Sequence, residues 1–166
     1  MPRIERMTAR LHARVTSHLR TMPMISFFVP GIPKGQPRPR AFAFHGKARV
    51  FDPGTAEGWK SQVALAANPH LPKAPMDGPI EANLIFFFPR PKAHFKGKAQ
   101  TLREDAPAWH KAKPDADNLA KAVLDALTTL GIWEDDAAVC CLRVVKLYRS
   151  HSPGCDIEIR TAEELR

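Results

Sequence analysis

The sequence predicts an α+β fold, with one domain in which a mixed β-sheet packs against two main helices. Residues 79–88 place apolar side chains on both faces of a strand, as in a central strand that is buried on both sides. Residues 118–130 repeat apolar side chains along one face at helical spacing, and Gly131 follows where a helix would end. These two elements supply most of the predicted core.

Weaker signals predict the remaining elements. In chain order they are a strand at 25–29, a hairpin at 41–51 with Gly46 in its turn, a helix at 54–67, and strands at 138–148 and 155–160. The segment between the two strongest elements, 89–114, is rich in proline and charge and has little periodicity. Connections of this length are typical of functional loops or of disorder.

The length of 166 residues predicts a single domain at 25–162, preceded by a basic arm at 1–24. No apolar run approaches the roughly 18–20 residues of a membrane span, and no secretory signal is recognisable. Three cysteines form no disulfide framework, so a cytoplasmic protein is expected.

The formal net charge of +8 points to a polyanionic partner, most plausibly nucleic acid. Basic residues concentrate in segments with little predicted structure, while acidic residues concentrate at 115–136. A solvated basic loop would have the same composition. The candidate DNA-binding residues are Lys34, Arg38, Arg40, Lys47, Arg49, Lys111 and Lys113.

Acidic residues cluster around the helix predicted at 118–130. Asp115 and Asp117 lie two residues apart at its start, and Asp135 and Asp136 follow its end. Carboxylate oxygens without nearby histidine or thiolate suit Mg²⁺ or Mn²⁺. Such an ion activates water and neutralises charge on a phosphodiester.

A structural interpretation of the same residues remains open. Asp117 occupies the expected N-cap, a position that favours aspartate. Lys121 and Asp125 follow it at four-residue intervals, which is also the pattern of a solvated ion-pair stripe. Sequence spacing does not show whether Asp135 or Asp136 folds back toward the start of the helix.

Two motifs resemble the RusA-type Holliday-junction resolvases over about residues 25–160. The first is Lys113-Pro114-Asp115-x-Asp117-Asn118-Leu119-x-Lys121-Ala122-x-x-Asp125-Ala126-Leu127, followed by Trp133-x-Asp135-Asp136-x-x-Val139. The second, similar to the phage and prophage branch, is Pro30-Gly31-x-Pro33-Lys34-Gly35-x-Pro37-Arg38-Pro39-Arg40. The arm before Met24 and the long loop at 90–112 depart from the family pattern.

The resemblance implies a Mg²⁺-dependent homodimeric endonuclease that nicks four-way DNA junctions symmetrically in recombination and repair. It implies metal-ligand roles for Asp115, Asp117 and Asp136, and a catalytic role for Lys121. Asp125, Asp135 and Asn118 fall on supporting positions of the same motif. Two rivals stay open: a catalytically silent DNA-binding accessory protein, and a metal-dependent nuclease for other branched or single-stranded DNA.

Three further groups of residues have alternative interpretations. Phe42, Phe44 and Phe51 alternate as core residues do, although stacking on bases is the functional alternative. Trp109 and His110 lie in the basic loop, where a tryptophan either touches DNA or anchors the loop. Cys141, His151 and Cys155 fit no zinc-finger spacing, so thiols on strands are expected.

Overall fold

The computed structural model describes residues 24–37, 40–44, 47–51, 56–97 and 101–162, with backbone alone at 40–44 and 47–51. Residues 1–23 of the predicted arm, the hairpin turn at Gly46 and the side chains of Phe42, Phe44 and Phe51 therefore lie outside the described part.

A mixed four-stranded sheet forms the centre of the described chain, as predicted. Its strands are β1 Met24–Pro30, β4 Ile80–Pro89, β7 Val139–Arg149 and β8 Gly154–Thr161. The strand order is β1-β8-β4-β7, in which β4 and β7 are parallel and the other neighbours are antiparallel.

The central strand β4 is buried on both faces, which confirms its predicted position. Leu84 and Phe86 face the helices and join the main core. Ile85 and Phe87 face the other way and form a second cluster with residues of β7. Because side chains alternate along a strand, one apolar run supplies both layers.

Two α-helices of the described chain pack on one face of the sheet: α1 Glu57–Ala67 and α2 Ala116–Leu130. The predicted apolar face of α2 is confirmed, since Leu119, Val123 and Leu127 are fully buried. In α1, Trp59 and Val63 are buried, whereas Leu65 is 77% exposed because it lies on the opposite side of the helix.

Smaller elements lie between these parts. The predicted hairpin is confirmed as β2 Arg40–Phe44 paired with β3 Lys47–Phe51. The 89–114 segment contains more regular structure than predicted, with a two-stranded ribbon of β5 Phe95–Lys96 and β6 Thr101–Leu102. Short 3₁₀ turns lie at Asn68–His70, Lys92–His94 and Asp136–Ala138. No helix in the described residues is long and apolar enough to cross a membrane.

Candidate active site

The start of α2 differs from the prediction. The helix begins at Ala116, so Asp115 is the N-cap and Asp117 lies in the first turn. Both aspartates are good N-cap residues, but a carboxylate inside the first turn is also favoured by the helix dipole. The helix therefore extends two residues further than the cap preference at Asp117 suggested.

The carboxylate of Asp115 is exposed and does not cap the helix. Its backbone is extended, with φ −71° and ψ 151°, and its side chain accepts no capping hydrogen bond. A helix cap normally contributes about 0.5–2 kcal/mol through that bond. The structural interpretation of these aspartates as caps thus does not account for Asp115.

The polar stripe of α2 forms an ion-pair chain that reaches α1. Lys121 Nζ lies 3.0 Å from Asp125 Oδ1, and Lys60 Nζ of α1 lies 3.4 Å from Asp125 Oδ2. The Lys121 side chain is 60% exposed, whereas that of Lys60 is 19% exposed. Asp125 therefore orients Lys121 on the surface of α2, while the more buried Lys60 also neutralises the negative charge of Asp125.

The second acidic pair divides into two roles. Asp135 Oδ1 accepts a hydrogen bond of 2.8 Å from the amide of Ala137 and so caps the turn Asp136–Ala138. Asp136 is exposed, and its carboxylate has no hydrogen bond or ion pair with the described residues. Asp135 therefore stabilises the turn, whereas the carboxylate oxygens of Asp136 remain available to bind a ligand.

The exposed carboxylates offer the oxygen donors that a hard divalent cation prefers. Across the described residues, however, no group of three or more His, Cys, Asp or Glu side chains lies close enough together to hold a metal ion. The donor type fits Mg²⁺, but the arrangement is incomplete. The three-carboxylate site of Asp115, Asp117 and Asp136 stays a prediction.

The loop after β1 packs closely against the start of α2. The amide of Gln36 donates a 2.8 Å hydrogen bond to the carbonyl of Asn118. A Cβ on Gly35 would lie 3.1 Å from the Cβ atoms of both Pro114 and Asn118. This close approach brings Lys34, which is exposed, to the acidic end of the helix.

The profile of the family described as Endodeoxyribonuclease RusA matches residues 30–160. The chain belongs to the RusA family. It is similar to the uncharacterized protein YqaN of Bacillus subtilis (strain 168), at 36% identity over 140 residues, or 84% of this chain and 97% of YqaN. It is also similar to the crossover junction endodeoxyribonuclease RusA of Escherichia coli (strain K12) and of Enterobacteria phage 82. Each is 54% identical over 37 residues, or 22% of this chain and 31% of the relative.

The long basic segment of this RusA-family chain is anchored by His110. Its ring stacks on Phe88 with 3.9 Å between centroids, and its amide donates to the carbonyl of Lys146. Burial, and then the nearby Lys146 ammonium, lower the pKa of His110. Trp109 forms a backbone bridge with Leu147 of β7, while its residue surface is 54% exposed, so the ring itself is not a buried anchor of the loop.

The predicted DNA-binding residues are only partly described. Lys34, Lys111 and Lys113 are exposed. Arg38 lies outside the described residues, and for Arg40, Lys47 and Arg49 only the backbone is described. Away from these, Cys141 and His151 are exposed and Cys155 is buried on β8, where burial raises the pKa of its thiol.

Sequence reasoning missed several residues around this RusA-family site. Gly35 is a motif residue for which the sequence predicted no contact, Gln36 stands at an unspecified position of the same motif, and Lys60 was not singled out. Lys146 was also missed. It lies on the same face of β7 as Val144 and Tyr148, which pack against the core under the helices, so it is a charged residue at a position where the strand pattern calls for an apolar one. A lysine in an apolar register was the signal available in the sequence.

Proposed function

We propose that this protein is a divalent-metal-dependent endonuclease that resolves four-way DNA junctions in recombination and repair. In this proposal it is a cytoplasmic homodimer, and each protomer nicks one strand. Family membership supports the endodeoxyribonuclease class. The observation that carries the proposal is the start of α2, where the exposed, uncapped carboxylate of Asp115 lies beside the loop bearing Lys34.

Asp115, Asp117 and Asp136 are the proposed ligands of Mg²⁺, for which Mn²⁺ would substitute. When bound, the ion would lower the pKa of a water molecule and neutralise charge on the scissile phosphate. All three residues are exposed, so their side chains are accessible to an ion that arrives with the phosphate. Asp135, whose carboxylate caps the turn that begins at Asp136, supports the third ligand.

Lys121 is the proposed catalytic lysine. Its ammonium stands one turn inside α2, on the side of the helix away from the core, and is mostly exposed. From there it can donate a hydrogen bond to a phosphate oxygen whose negative charge increases in the transition state. Asp125 keeps the lysine oriented in the absence of DNA, and an exposed ion pair of this kind is weak enough to exchange for a phosphate.

The basic residues are proposed to bind the phosphate backbone. Lys34 approaches the start of α2 from the loop after β1, and Lys111 and Lys113 approach it along the chain that precedes Asp115. Arg38, Arg40, Lys47 and Arg49 complete the proposed set. Contacts of this kind give affinity that falls steeply with salt. Paired incision of a junction needs one site for each strand, which a two-fold symmetric dimer supplies.

The decisive assay compares Mg²⁺-dependent cleavage of a four-way junction, a fork, a linear duplex and a single strand. Asp117→Asn is expected to abolish cleavage and to retain junction binding. Asp77→Asn is the matched control, since Asp77 is exposed and its side-chain acceptor for the Gly78 amide survives the change. That control is expected to cut like the wild type.

Other outcomes would favour the rivals. Junction binding without cutting by the wild type would support a silent accessory protein and overturn the enzyme proposal. Cleavage of the linear duplex at the same rate as the four-way junction would contradict the proposed selectivity for junctions. Faster cutting of a fork or a single strand than of the junction would indicate a nuclease for another DNA structure.

A further inference from the structure

Lys146 binds the segment that leads into the proposed site. It lies on β7 opposite Phe86 of β4, on the face of the sheet that carries the helices. Its ammonium donates hydrogen bonds to the carbonyl oxygens of Ala112, at 2.7 Å, and Pro114, at 2.5 Å. Among the described residues its side-chain hydrogen bonds go to these two carbonyls. A half-buried ammonium needs acceptors, and here they are backbone oxygens.

The contact with Pro114 bears directly on Asp115. The Pro114 carbonyl and the Asp115 amide belong to one planar peptide unit, so fixing the oxygen fixes the direction in which the chain enters Asp115. Within the described chain, Lys146 makes the long-range hydrogen bonds to residues 111–115, and its own carbonyl accepts from the His110 amide. Lys146 thus holds both ends of the approach to α2.

The contact also places a positive charge near the acidic cluster without a direct ion pair. The ammonium donates to backbone carbonyls, and the carboxylate of Asp115 is exposed and makes no capping hydrogen bond. A lysine paired with Asp115 would compete with an incoming cation. A lysine bound to the backbone behind Asp115 orients that residue without this competition.

We propose that Lys146 is a positioning residue of the active site, which sets the orientation of Asp115 through the Pro114 carbonyl. This inference rests on the proposed function. Residues that only support metal ligands typically change metal affinity or activity by about 10–100-fold when they are replaced. Lys146→Met keeps much of the side-chain volume and removes both hydrogen bonds.

The test measures Mn²⁺ binding by calorimetry, junction cleavage, and junction binding in Ca²⁺. Lys146→Met is expected to weaken Mn²⁺ binding and to slow cleavage by about 10–100-fold each, with junction affinity within about threefold because phosphate contacts dominate it. The matched control is Arg143→Met, which removes a positive charge from an exposed position on the same strand. It is expected to match the wild type in Mn²⁺ binding and cleavage.

The second variant is Lys146→Arg, which keeps the charge and the donors. We expect it to bind Mn²⁺ within about threefold of the wild type, well short of the loss typical of a missing supporting residue. The inference is overturned if Lys146→Met binds Mn²⁺ like the wild type, if Arg143→Met loses as much, or if Lys146→Arg loses about tenfold or more.

A measurement independent of catalysis separates this inference from the proposed function. If the wild type neither binds Mn²⁺ nor cuts DNA, the proposed function fails. Amide hydrogen exchange over residues 111–119 then decides the role of Lys146. Faster exchange in Lys146→Met than in Arg143→Met would uphold its positioning of this segment, and equal exchange would overturn it.

Discussion

The two ends of α2 are built in opposite ways. At the C-terminal end, Gly131 is left-handed and its amide bonds to the carbonyls of Leu127 and Thr128. Trp133 is buried there, and its indole donates a 2.7 Å hydrogen bond to the Thr128 hydroxyl. At the N-terminal end, Asp115 makes no cap and is exposed.

The difference indicates that the C-terminal end of α2 contributes to stability, whereas its N-terminal end is arranged for function. The C-terminal end uses its own residues to satisfy the helix and to join the core. The N-terminal end is held by distant residues instead, namely Gln36 and Lys146, which bind backbone carbonyls. This arrangement leaves the Asp115 carboxylate for a ligand, and functional positions commonly give up local stabilisation in this way.

The largest expected effect comes from breaking the stable end. Trp133→Ala removes a fully buried ring and its hydrogen bond, so the free energy of unfolding is expected to fall by about 3–5 kcal/mol. Urea denaturation measures the change. Trp109→Ala is the control, because this exposed ring is expected to contribute within about 0.5 kcal/mol. Equal losses in the two variants would contradict the assignment of Trp133 to the core.

The second effect concerns activity. Asp136→Asn is expected to lower junction cleavage by more than about 100-fold, beyond the range for residues that only support ligands. Asp135→Asn keeps an oxygen for the Ala137 amide, and asparagine is also a good N-cap, so cleavage within about threefold of the wild type is expected. Single-turnover rates on a four-way junction measure both. If Asp135→Asn slowed cleavage more than Asp136→Asn, Asp135 and not Asp136 would be the metal ligand.

The third effect tests the loop that supports the acidic end. Gly35→Ala would place a Cβ 3.1 Å from the Cβ atoms of Pro114 and Asn118, so the loop must shift. We expect a loss of about 1 kcal/mol in stability, at the low end for overpacking, together with slower cleavage. Gly58→Ala in α1 meets no atom within 4 Å and is expected to stabilise by about 0.5–1 kcal/mol. Thermal unfolding of the two variants should therefore shift in opposite directions, and a shared direction would contradict the close contact.

The smallest expected effect is a pH dependence of the basic segment. His110 and His94 pack against Tyr148, with Arg90 beside His94 and Lys146 beside His110 as nearby positive charges. Burial lowers the pKa of both imidazoles. Their contribution to stability is therefore complete above the unfolded pKa of about 6.5 and is lost as the pH falls below it toward the folded pKa.

His110→Phe tests this pH dependence, because it retains a ring for stacking on Phe88 and cannot be protonated. The variant is expected to lose less stability than the wild type between pH 7.5 and pH 5.5. The difference is read from denaturant unfolding at each pH. An equal loss in both proteins would exclude His110 as a source of the dependence.

The regular elements followed from the sequence because their determinants are local. Apolar spacing was enough to predict the face of α2 and the two-sided burial of β4. The helix start was wrong by two residues because Asp115 and Asp117 suit the cap equally, and the choice between them depends on packing. The ribbon β5–β6 was missed because two-residue strands carry almost no periodic signal.

The surroundings of the site were not predictable in the same way. The carbonyls of Ala112 and Pro114 bind a lysine more than thirty residues away. Asp125 binds Lys60 on another helix. Gly35 lies against Asn118 of α2, although the two residues are far apart in the sequence. None of these pairs has a characteristic spacing in the sequence, because tertiary packing alone brings the partners together.

The most direct test of the account is a crystal structure of the protein with a four-way junction and Mn²⁺, read from the anomalous signal of the metal. The account predicts an ion at the start of α2, coordinated directly by oxygens of Asp115, Asp117 and Asp136. Mn²⁺ held by other residues, or a junction bound with these three carboxylates still apart and without metal, would contradict it.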